Sequence, residues 1–140
     1  MLTRFAVLAF SSCVLMGCAT TGPYAEVTGE RIERADGKEE PVLVMGVDGK
    51  LDVMGSMTKT IDPGLRMVLL ATTRQDKRGA NPSGVVPLNA KPCLRYYFVA
   101  RHESVFAVRP WQLVLKNVEP IAECIAKYPQ HTPVPAKAAG

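Results

Sequence analysis

Between Val42 and Thr73 the chain reads as three β-rich runs cut by two turns: "VLVMGV", Asp48-Gly49, "KLDVMG", and, after "SMTKT", Asp62-Pro63-Gly64 and "LRMVLLATT". Asp-Gly between two such runs is the strongest short hairpin signal, because a type I′ turn needs positive φ at both central residues. Pro followed by Gly is the type II signature, with proline presetting the second position and glycine accepting positive φ at the third. Together the two turns commit the middle of the chain to antiparallel β pairing.

The rest of the chain extends that pattern. "LRMVLLATTR" (65–74) is too short, and too β-branched at its end, for a helix. "QDKRGANPSG" (75–84) is a polar, turn-rich loop. "VVPLNA" is a brief strand, placed at an edge by Pro87, which cannot donate to a ladder. "CLRYYFVAR" alternates so that Leu94, Tyr96, Phe98 and Ala100 share one face. "WQLVLKNV" does the same with Trp111, Leu113 and Leu115. "EPIAECIAKY" has helical spacing at Ile121, Cys124, Ile125 and Tyr128, with Pro120 suited to a first helical position. The expected fold is mainly β: a small β-sandwich of about seven short strands with one short C-terminal helix. An α+β layout is the competing arrangement.

The front of the chain has a different grammar. Met1 to Arg4 carries one positive charge, and Phe5 to Met16 carries none. Such an apolar run suits a secretory signal and falls short of the roughly 20 residues a membrane-spanning helix needs. It ends in Leu15-Met16-Gly17-Cys18, which resembles the lipobox of bacterial lipoproteins. Leu15, Gly17 and Cys18 match that pattern; Met16 replaces the commoner small residue. The resemblance implies diacylglycerol on the Cys18 thiol, cleavage before it and acylation of the new amine. Ala19, rather than Asp, after the cysteine implies transport to the outer membrane, facing the periplasm. The expected organisation is a signal peptide at 1–17, a lipidated tether with room for an edge strand at 18–40, the β-sandwich at 41–128 and a disordered Pro/Ala-rich tail at 129–140. The 123 residues from Cys18 onward are one domain's worth.

With Cys13 in the signal and Cys18 acylated, Cys93 and Cys124 remain. An even pair in an exported domain reads as a disulfide. Two further resemblances bear on the fold. Val44, Asp48, Gly49, Pro63, Gly64 and Leu65 are similar to the strand–turn order of PEGA-type modules, small β-sandwiches of bacterial envelopes. Cys93, Tyr96 and Tyr97 resemble a Cys-x-x-Tyr-Tyr segment of small proteobacterial lipoproteins.

No catalytic constellation stands out: G-x-S-x-G, H-E-x-x-H and a Gly-rich phosphate loop are all missing from the sequence. Glu39 and Glu40 are expected on opposite faces of a solvated edge, and His102 at a surface strand end. Nothing points to a cofactor or metal. Charge is uneven, with net −3 over residues 18–73 and net +5 over 74–109. Arg95 and Arg101 on one strand face, with Arg74, Lys77 and Arg78 around a loop, are therefore candidate contacts for an anionic partner: lipid headgroups, peptidoglycan or an acidic envelope protein. Nucleic acid is excluded by compartment and by the small overall charge. The expected role is a lipid-anchored, non-catalytic binding or bracing module; an envelope hydrolase with an unrecognised site is the alternative.

Overall fold

A computed structural model describes residues 22–30, 36–106 and 111–133. Cys18 and its lipobox lie outside the described residues, as do residues 134–140 of the tail. The strands are β1 (Ala25–Thr28), β2 (Glu39–Val47), β3 (Lys50–Ser56), β4 (Thr58–Ile61), β5 (Gly64–Thr72), β6 (Ser83–Ala90), β7 (Leu94–His102) and β8 (Trp111–Pro120). A helix, α1 (Ala122–Lys127), and a 3₁₀ turn (Pro129–His131) follow. The fold is mainly β, with eight strands among the described residues where the sequence suggests about seven.

Both predicted turns form. Asp48 and Gly49 take φ of 50° and 78° between β2 and β3, and Gly64 takes φ of 108° after Pro63. The strands run in the order β4-β1-β7-β2-β5-β6, with β3 also on β2 and β8 also on β7. This single sheet folds into two halves because β2 changes partners along its length. Its first three residues pair with β7 (Glu39 opposite Arg101), and the rest pairs with β5 and β3. The halves, β4-β1-β7-β8 and β3-β2-β5-β6, face each other in a sandwich-like packing. Val27, Tyr96, Phe98 and Ala100 from one half meet Val42, Val44, Val68 and Leu70 from the other, all buried.

Three boundaries differ from the sequence expectation. The stretch assigned to the tether contains β1 and the start of β2. "AEVT" is too short to announce a strand, yet it is central, pairing antiparallel with β4 and parallel with β7. Gly29, at its end, is required by close approach: a Cβ there would lie 1.8 Å from the Val42 carbonyl oxygen. Pro120 closes β8 instead of opening the helix, because its partner is Leu94 and α1 begins at Ala122. Residues 129–131, expected as the start of a disordered tail, form a 3₁₀ turn after α1.

The Cys93 and Cys124 sulfurs are bonded, 2.06 Å apart, and tie the start of β7 to α1. Ile121 is buried with them, and Tyr24, Ile125 and Tyr128 pack around this second small core. The Cys93 N–H donates to the Tyr24 carbonyl at 2.6 Å, fixing the point where the chain enters the domain.

Candidate functional site

The alternation of β7 divides its side chains between the core and the outer face of its half. On the outer face, Arg95 Nε lies 2.6 Å from Glu26 of β1. The Tyr97 hydroxyl and then Glu26 hold the Arg95 guanidinium above its ordinary range, favouring the charged form. Tyr97 donates to Glu119 at 2.9 Å, and Asn117 donates to the other oxygen of that carboxylate at 2.9 Å. Arg101 Nε donates to Glu39 at 3.1 Å, and Lys116 Nζ reaches both Glu39 oxygens at 3.0 Å. Hydrogen bonds from Arg101 first, then Lys116, hold the Glu39 carboxyl below its ordinary value. Arg95 and Arg101, expected as a cationic face, are partly exposed and both are engaged by carboxylates of the same domain. Lys77 and Arg78 stand exposed on the β5–β6 loop.

At the end of the sandwich, β2 and β7 turn Glu40 and His102 inward. Both are 2 % exposed, which corrects the expectation of a solvated edge and a surface histidine. His102 Nε2 is 3.0 Å from one Glu40 oxygen, and Arg74 Nε is 2.9 Å from the other. Arg74 also donates to the carbonyls of Val105 at 3.0 Å and Gly37 at 3.3 Å, so it is pinned to three segments and is not a mobile loop cation. The His102 side chain is fully covered, and as arranged the trio cross-braces β2, β7 and two loops. His102 and Glu103 border a cleft of about 300 Å³ with Lys38, Arg101, Trp111 and Gln112. Among the described residues no three His, Cys, Asp or Glu side chains come together as a metal cage.

The other half presents a different outer face. Register places Leu65, Met67, Leu69 and Ala71 of β5 opposite Asn89, Pro87, Val85 and Ser83 of β6. Leu43 of β2 sits opposite Ala71. None of these side chains is charged. Leu65 is 70 % exposed and Met67 46 %, and on β3 Leu51, Val53 and Met54 are 72 %, 90 % and 85 % exposed. Leu43, Met45, Met54 and Leu69 line a shallow groove of about 330 Å³. The hairpin carrying Leu51 is locked to β5, because the Asp48 carboxylate accepts from the Met67 N–H at 2.8 Å and from Arg66 at 3.0 Å. Those bonds, the Met67 one first, hold Asp48 below its ordinary value.

This apolar face was missed by sequence reasoning, although a signal was present. The runs "VLVM" and "MVLLA" are continuous where a strand with one wet face should alternate.

No family model, no curated protein and no solved structure matches the chain. Fold and site define the class: a disulfide-braced, mainly β, sandwich-like domain with one ion-paired and one apolar outer face.

Proposed function

We propose that the protein is a lipoprotein anchored through Cys18, acting without catalysis as a binding or bracing module on the periplasmic face of the outer membrane. The observation that carries the reading is Leu15-Met16-Gly17-Cys18 at the end of an uncharged run. The Cys93–Cys124 bond agrees with it, since such bonds persist in oxidising compartments. The outer face that offers contact to a partner is the apolar one, because contiguous exposed apolar surface marks interaction sites. The charged face has its guanidiniums engaged internally.

Metabolic labelling with a clickable fatty acid tests the anchor. The wild type takes up label and fractionates with membranes, and Cys18→Ala loses both. Label retained by Cys18→Ala would overturn the reading.

A further inference from the structure

We infer that the apolar outer face of the β3-β2-β5-β6 half rests on the bilayer surface, with Leu51 and Leu65 entering the boundary between headgroups and acyl chains. The inference deepens the reading above and takes its anchor point from it.

Three observations select lipid as the occupant. The first is the reach of the chain. Six residues separate Cys18 from Ala25, and at about 3.3–3.6 Å per residue they span roughly 20 Å at most. The domain is thus held against the membrane at high effective concentration. The second is where the leash enters. Tyr24 is fixed by the Cys93 N–H, and it lines one groove of about 460 Å³ with Leu51 and the charged side chains of Asp48, Lys50, Lys59, Asp62 and Arg66. Leu65 immediately precedes Arg66, so the most exposed leucines lie at the leashed end. The third is chemical. Side chains that pass the headgroups into the acyl boundary should be uncharged, because burying a charge in hydrocarbon is costly, while the charges beside Leu51 and Leu65 (Lys50, Asp48 and Arg66) stay at headgroup level. The outward positions of β5 and β6, Leu65 to Ala71 and Ser83 to Asn89, carry none. The cations of the opposite face are already ion-paired and remain in water.

The test separates docking from acylation. Residues 19–140 keep every described residue, so a polyhistidine tail can replace the first 18 residues. Vesicles of phosphatidylcholine with nickel-chelating lipid then supply the leash without a fatty acid. An environment-sensitive fluorophore at Leu51→Cys or Leu65→Cys should shift to the blue on vesicles and be quenched by brominated acyl chains. The same fluorophore at Gln112→Cys, exposed on the opposite half, should do neither. Leu51→Glu combined with Leu65→Glu should weaken partitioning of the untethered domain about tenfold or more, with its melting temperature near wild type. Water-like emission at both leucine sites on vesicles would overturn the inference. So would protection that appears without vesicles and grows with protein concentration, which would mean that a second copy covers the face. Failure of fatty-acid labelling at Cys18 would instead sink the anchor and leave this result standing.

Discussion

Glu40→Gln removes one charge and almost no volume from the most enclosed ionic contact described in the domain. The carboxylate gives one oxygen to Arg74 and the other to His102, at 2.9 Å and 3.0 Å. The amide can accept at only one of the two positions. Its –NH₂ must face Arg74 Nε, which is always a donor, or His102 Nε2, which accepts only in the tautomer without a proton on that nitrogen. Removing one partner of a buried charge pair costs about 3–5 kcal/mol. The Arg74 side chain is 31 % exposed, so its share belongs at the low end. The expected loss is about 3 kcal/mol. Arg74→Gln should cost at least as much, about 3 kcal/mol, since it leaves the buried Glu40 carboxylate without that cation and removes the donors to Val105 and Gly37. Because the two side chains share one contact, the double variant should lose about 1 kcal/mol less than the two single losses combined. Urea unfolding followed by the single Trp111 reads these differences from the midpoints, provided the slope is unchanged. A Glu40→Gln loss below about 0.5 kcal/mol, or strict additivity, would refute the bracing role.

Other features give further expectations. Cys93 and Cys124 are 31 residues apart, so replacing both by Ser should cost about 3–4 kcal/mol in the chain-entropy picture, and intact mass with and without reduction should show no free thiol pair in exported wild type. Glu39 is depressed in the folded state, so its contribution is fully present above the ordinary carboxyl value of 4.5 and is lost as pH falls through the lower folded value. Acid titration of stability should therefore be shallower in Glu39→Gln; parallel curves below that pH would contradict the assignment. Gly29→Ala forces a Cβ against the Val42 backbone and should cost several kcal/mol. Gly79→Ala, strained only by its φ of 77° in an open loop, should cost about 1–2 kcal/mol in the same melt.

Turn chemistry made the centre of this fold legible. Asp48-Gly49 and Pro63-Gly64 need particular φ values, which local sequence alone dictates, and β2, β3 and β5 follow from them. The alternation of Leu94, Tyr96, Phe98 and Ala100 likewise identified the buried face of β7. β1 and β4 were not legible because they are four residues each and exist through their partners: Ala25 and Val27 are buried by β7 and β4, not by any local pattern. His102 and Glu40 misled for the same reason. A polar residue near a strand end reads as wet unless a distant strand delivers its counter-charge, and that delivery is a matter of topology.

The charge imbalance along the sequence has the same origin. Acidic excess upstream of Thr73 and basic excess downstream suggested a cationic surface seeking an external anion. In space the excesses meet: Glu26 with Arg95, Glu39 with Arg101, Glu40 with Arg74. The first two pairs join residues 69 and 62 positions apart, so the imbalance encodes which segments lie side by side. A charge swap tests this directly. Arg95→Glu alone places a second carboxylate beside Glu26, whose side chain is 14 % exposed, and should cost about 1–3 kcal/mol. Glu26→Arg alone should cost a similar amount. Combining them restores opposite charges across the parallel β1–β7 pair and should recover at least half of the summed loss in urea unfolding. The recovery stays incomplete because Tyr97, which supports a guanidinium at position 95, would then meet a carboxylate. Single reversals without cost, or a double variant no better than the worse single, would show that these arginines are not committed to the fold and would return them to the surface as free cations.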